Sequence, residues 1–294
     1  MNNDHLLPAL AGTAAAGFTA LGCTIWRDTH RFVVRRYTVR SDRIRQDTRL
    51  VLLADLHDQV YGRHNQALLS AIDKEKPDLV ISAGDLITAH HDPAHQRGEE
   101  ATALLMTLAR RYPTLAINGN HETKLDLRRE ACGYGSQYDD YEAMVAAAGG
   151  VLLRNEKALF ADRGIEITGL ELPLPYFRHF TRRPLPQKSL REWIGTPDPS
   201  RFNILIAHHP DYFPEYREWG ADLVLSGHIH GGIIRLPLLG GVASPTCRLF
   251  PKYDGGRFDE EGGTLILSRG MGTHTIPVRL FNPGELVVVD CRRD

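Results

Sequence analysis

Residues 50–57, Leu50-Val51-Leu52-Leu53-Ala54-Asp55-Leu56-His57, run five apolar side chains straight into an aspartate and a histidine. A short, unbroken apolar run of this kind reads as a strand buried on both faces. The same grammar recurs along the chain. Residues 79–83 lead into Gly84-Asp85, and 115–118 into Gly119-Asn120-His121-Glu122. Residues 204–207 lead into His208, and 223–226 into Gly227-His228-Ile229-His230-Gly231-Gly232. Two further runs, 265–268 and 286–289, also read as buried strands.

Helix-like segments at about 64–74, 99–110 and 138–148 separate the early runs, the last ending at Gly149-Gly150. Residues 158–170 read as a hairpin turning at Asp162-Arg163-Gly164. Alternating strands and helices followed by hairpins predict an α/β sandwich, two packed sheets with helices outside. The expected division is 1–30 as an N-terminal hydrophobic segment, 31–48 as a connecting segment with an edge strand, and 49–294 as the catalytic domain.

Composition narrows the function classes. A chain of 294 residues with 42% hydrophobic side chains buries an ample core without a stabilising metal or disulfide. With 35 basic and 36 acidic residues there is no broad field to attract nucleic acid. Cys23, Cys132, Cys247 and Cys291 form no C-x-x-C pair, which excludes a zinc knuckle or a thioredoxin-like site.

The stretch 6–26 holds no charged residue and is long enough for a membrane span, although six Ala, three Gly and three Thr dilute its four Leu. Arg27, Arg31, Arg35 and Arg36 follow it. By the positive-inside rule the expectation is a single-pass N-terminal anchor with a cytoplasmic catalytic domain.

In an extended strand, residues two apart point the same way, so Asp55 with His57, and His228 with His230, are expected to form ligand pairs. The carboxyl ends of parallel strands border one crevice, where all these loops can meet. Aspartate, asparagine and histidine without thiolate suit Mn²⁺, Fe or Zn²⁺. Seven such residues exceed one ion's needs, and a two-metal site acts on phosphorus.

The ordered blocks D-x-H, G-D, G-N-H-E, a later His and G-H-x-H resemble the signature of the calcineurin-like metallophosphoesterases, and more specifically a small bacterial membrane-attached phosphodiesterase branch. That branch includes exported members. The closing stretch from Ser268-Arg269-Gly270 to Pro277 strengthens the likeness. The resemblance implies a four-layer αββα sandwich of two mixed β-sheets, here with an N-terminal hydrophobic helix. It implies Asp55, His57, Asp85 and His230 around one divalent ion, and Asp85, Asn120, His208 and His228 around the other, with Asp85 bridging. His121 would be catalytic, protonating the leaving oxygen while a metal-bridging hydroxide attacks phosphorus. His208 is preferred to His209 because the family's ligand stands two before Pro210.

The chain departs from the protein phosphatase pattern G-D-x-x-D-R-G, reading Gly84-Asp85-Leu86-Ile87-Thr88. The missing aspartate leaves the partner that orients His121 unidentified and turns the expectation toward small-molecule or lipid phosphoesters, with a phosphodiester or pyrophosphate bond. A noncatalytic scaffold of the same fold, or a nuclease of the superfamily, are the alternatives. His90, His91 and His95 read as an exposed loop. The stretch 172–183 mixes aromatics with arginine, suiting a membrane surface, an acidic amphiphilic substrate or an ordinary insertion.

Overall fold

The computed structural model describes residues 6–90, 92, 95–178, 182–232, 234–236, 238–244, 248–273 and 277–294. His91, Ile233, Cys247 and parts of the stretches 172–183 and 268–277 lie outside the described residues.

One six-stranded sheet is built from β1 (Phe32–Ser41), β2 (Thr48–Leu53), β3 (Leu79–Ser82), β4 (Thr114–Ala116), β5 (Val151–Leu152) and β14 (Gly284–Arg293), in the order β1-β14-β2-β3-β4-β5. Only the β14–β2 pairing is antiparallel. The second contains β6 (Lys157–Phe160), β7 (Ile165–Leu170), β8 (Phe202–Ala207), β9 (Leu223–Ser226), β12 (Gly256–Glu260) and β13 (Gly263–Leu267), in the order β12-β13-β9-β8-β7-β6. Its inner pairings are parallel and its two outermost antiparallel. Between β9 and β12, β10 (Arg235–Leu236) and β11 (Gly240–Gly241) make a small hairpin.

Strand alternation distributes the core. Leu50, Leu52 and Ile81 of the first sheet meet Ile167, Ile204, Ile206 and Leu225 of the second in one buried cluster. Val51 and Leu53 point the other way, against Leu68 and Ile72 of α2 (Gln66–Glu75) and Leu104, Leu105 and Leu108 of α3 (Glu99–Arg111). Val145 of α5 (Gln137–Ala147) completes that layer. Leu205 and Val224 face Leu190 and Ile194 of α6 (Gln187–Ile194) and Phe213 and Tyr216 of α7 (Phe213–Trp219). The order is therefore helices, sheet, sheet, helices. Each expected strand and the hairpin are present.

The N-terminal segment folds as α1 (Leu6–His30), but the expected transmembrane anchor requires correction: among the described residues no helix is long and apolar enough to cross a membrane. Length is not the obstacle. Alanine, glycine and threonine contribute too little transfer free energy. At its C-terminal end Asp28 is fully buried and accepts the Asn282 N–H at 3.2 Å, which ties the helix to the loop before β14.

Candidate metal centre

Every expected ligand follows a parallel strand. Asp55 and His57 follow β2, Asp85 follows β3, Asn120 and His121 open α4 (Asn120–Leu127) after β4, His208 follows β8, and His228 and His230 follow β9. Ligand atoms of Asp55, His57 and His230 lie within 4.8 Å of one another, as do those of Asp85, His208 and His228. Asp85 also shares such a group with His57 and His121, so its carboxylate stands between the two triads. The His57 and His230 Nε2 atoms are 3.1 Å apart, and Asp85 Oδ2 is 3.0 Å from His208 Nε2. Asn120 Oδ1 is buried without a hydrogen-bond partner among the described residues, as a ligand oxygen facing a cation would be.

Strand alternation does not create these pairs, contrary to expectation. The strands end at Leu53 and Ser226, and Asp55 (φ 51°), His57 (φ 47°), Asp85 (φ 54°), His228 (φ 77°) and His230 (φ 54°) all adopt left-handed backbone. Each such non-glycine residue is held at a cost of about 1 kcal/mol or more, and such strain gathers where function demands it. Tight turns swing the side chains inward.

Two glycines admit the close approach. A Cβ on Gly119 would stand 2.2 Å from Asp85 Oδ1, and one on Gly227 would stand 2.7 Å from Asp55 Oδ2. Hydrogen bonds then lock the loops. The His228 N–H donates to Asp55 Oδ1 at 2.9 Å, and the His121 N–H to Asp85 Oδ1 at 2.9 Å. Buried Glu122 accepts N–H groups of Asp85, Leu86, Ile87 and Gly119 at 2.7–3.1 Å, clamping the loop after β3 to the start of α4. Arg279, 1% exposed, donates to the carbonyls of Gly272 and Asn282 at 2.9 and 3.1 Å.

The orienting partner of His121 is a backbone group. The Ala89 N–H donates to His121 Nδ1 at 2.9 Å, which places the proton of the neutral ring on Nε2. The His121 ring meets His57 edge-on, with centroids 4.9 Å apart. Sequence offers no signal for this bond, since every residue but proline carries an amide proton. His57 Nδ1 lies 3.2 Å from Thr88 Oγ1, and the Thr88 N–H donates to Asp58. His209 is buried beside His208, its ring 4.5 Å from that of His228. His95 pairs instead with Asp92 on the exposed surface.

Burial pushes the Asp55 carboxyl up to about 7. Burial and the neighbouring Asp85 push Glu122 to about 7 as well. Burial opposes ionisation of Asp85 too, but the imidazoles of His208, His121 and His57 hold it well below the usual carboxylate range. Burial would lower His208, yet Asp85 and Asp55 raise it to about 9. Burial and the cationic His208, Arg248 and Arg182 push His209 down to about 3.

A signed pH dependence follows for metal-free protein. Asp55, Glu122 and His208 bind protons more tightly folded than unfolded, so their contribution falls as pH rises toward about 7 for the carboxyls and 9 for His208. Asp85 and His209 shift the other way, but the effect of Asp85 is complete well below this range and that of His209 fades within about one pH unit above the ordinary histidine value. Divalent ions need deprotonated ligands and bind more tightly over the same range. Thermal melts from pH 6.5 to 9 should show a falling midpoint in EDTA and a widening gap to the Mn²⁺-loaded protein; a constant gap would contradict this.

The calcineurin-like phosphoesterase family model matches residues 48–232, which contain every candidate ligand. The chain belongs to this family. It is a phosphoester hydrolase. It is 26% identical to the uncharacterized metallophosphoesterase YkuE of Bacillus subtilis, over 98% of this chain and 96% of that one. Phosphodiesterase YaeI of Escherichia coli is 26% identical over 67% of this chain and 66% of its own length. UDP-2,3-diacylglucosamine pyrophosphatase LpxG of Chlamydia trachomatis is 29% identical over 48% of this chain and 41% of its own.

Proposed function

We propose that this family member is a dinuclear-metal-dependent hydrolase of phosphodiester or pyrophosphate bonds, including lipid-linked ones. The observation that carries the reading is the Asp85 carboxylate, grouped with His208 and His228 on one side and with His57 and His121 on the other, together with the buried, unpartnered Oδ1 of Asn120, the residue before His121. Asp55, His57, Asp85 and His230 would hold one divalent ion, and Asp85, Asn120, His208 and His228 the other. Such a pair supplies Lewis acidity and an activated water.

The chain's own groups do the rest. Glu122 fixes the Asp85 loop against α4 by accepting four backbone N–H hydrogen bonds. The Ala89 amide keeps the His121 Nε2 proton ready for a departing oxygen. The names of two relatives, a phosphodiesterase and a pyrophosphatase, support the bond type. We extend the reading to a membrane-surface location for a cytoplasmic catalytic domain, because Phe18 and Trp26 of α1 are 75% and 68% exposed just before the arginines that follow.

Purified protein stripped with EDTA should hydrolyse bis(p-nitrophenyl) phosphate only after Mn²⁺, Fe²⁺ or Zn²⁺ is restored. Elemental analysis should count two ions per chain. Full activity with one ion or none would overturn the proposal.

A further inference from the structure

His230 is supported from behind by residues that are not ligands themselves. Its Nε2 lies 3.1 Å from His57 Nε2 and 3.6 Å from Asp55 Oδ1, while its Nδ1 faces the Gly272 carbonyl oxygen at 3.4 Å. A histidine that ligates through one nitrogen needs an acceptor for the proton on the other, and that acceptor fixes the direction of the ring. At this length the contact tolerates little further displacement of the carbonyl.

Arg279 holds that carbonyl in place. Its Nε and Nη2 both donate to Gly272 O, Nη2 also donates to the carbonyls of Arg269 and Gly270 at 2.9 and 3.1 Å, and Nη1 donates to that of Asn282 at 3.1 Å. The side chain is buried yet makes no ion pair with any described residue. Burial of a cation without a carboxylate opposes stability, so packing alone does not account for an arginine here. The backbone that it arranges leans directly on the ligand loop. The Gly272 N–H donates to Asp55 O at 2.7 Å, and a Cβ on Gly272 would stand 1.9 Å from the Leu56 carbonyl oxygen.

Asn282 supplies a second support. Its Nδ2 donates to the His230 carbonyl at 2.7 Å, and its own N–H donates to buried Asp28 of α1 at 3.2 Å. The other metal position is oriented differently, because His208 Nδ1 lies 2.6 Å from the carbonyl of Ala83, directly after β3 in the core.

We propose, on the dinuclear-metal reading of this centre, that Arg279 and Asn282 are positioning residues for His230. They set the affinity of the position formed by Asp55, His57, Asp85 and His230, and leave that of Asp85, Asn120, His208 and His228 to the core sheet. Both act through a carbonyl, Arg279 through that of Gly272 on the ring and Asn282 through that of His230 itself.

Titration of the EDTA-treated protein with Mn²⁺, with free Mn²⁺ read from its electron paramagnetic resonance signal, tests this. Wild-type protein should bind two ions. Asn282→Ala should weaken one binding constant by about ten- to a hundredfold, the usual effect of removing support behind a ligating histidine, and leave the other in place. Arg279→Lys keeps a buried cation but lacks the rigid fork that holds Gly272 and Asn282 together, and should weaken the same constant. Asn203, buried near the start of β8, donates to the carbonyls of Asp198 and Arg201 at 2.8 and 2.9 Å, so Asn203→Ala should lower the melting midpoint and leave both constants unchanged. Equal constants in wild type, Asn282→Ala and Arg279→Lys would overturn the positioning role and leave the metal reading intact. A loss shared by Asn203→Ala would overturn it as well, as an effect of general stability. Wild-type protein that binds no Mn²⁺ would overturn the metal reading and this role with it.

Discussion

Asp85→Asn should lower Mn²⁺-dependent kcat/KM by at least about 10³-fold, the scale seen when a preorganised electrostatic group is removed from a reacting centre. Asparagine keeps the shape and can still accept the His121 N–H that now bonds Asp85 Oδ1 at 2.9 Å. What it removes is the negative charge that faces His57, His121, His208 and His228 together. Metal content should fall from two ions to one or none by elemental analysis. A variant that retains both ions and wild-type rates would remove Asp85 from the bridging position.

His121→Ala should separate chemistry from metal binding. The ring bonds backbone through Nδ1, and its proposed task is proton donation from Nε2, so both ions should remain. Loss of a general acid costs about 10²–10⁴-fold in kcat. The size of the loss should depend on the leaving group. An alkyl phosphodiester, whose alkoxide leaves poorly, should suffer the full effect, whereas a p-nitrophenyl ester should suffer much less because nitrophenolate needs little protonation. Equal losses on both esters would place His121 in charge stabilisation alone, and an unchanged rate would exclude it from the reaction.

Much of this protein could be read before any coordinates. The buried strands announce themselves because residues 50–53, 79–81 and 223–225 are apolar throughout, as strands covered on both faces must be. The ligand residues are legible because polar groups stand where such runs end, the place where parallel strands deliver side chains to one rim. Helix α4 was not legible, since Asn120–Leu127 is too short and too polar to show a helical apolar stripe. The 6–26 stretch misled in the opposite sense: absence of charge is not the same as affinity for lipid.

Residue type and order settled the kinds of chemistry this chain can perform, because an alternation of apolar runs with Asp, Asn and His is a local property carried by neighbouring side chains. Packing settled everything that depends on distance between remote segments. The left-handed turns that aim Asp55, His57, His228 and His230 inward, the Ala89 amide behind His121, the Glu122 clamp and the Arg279 and Asn282 bonds behind His230 belong in that class. Their cause is physical. Backbone groups look alike in every sequence, and a positive φ in a non-glycine residue is tolerated only after the surrounding structure has closed around it.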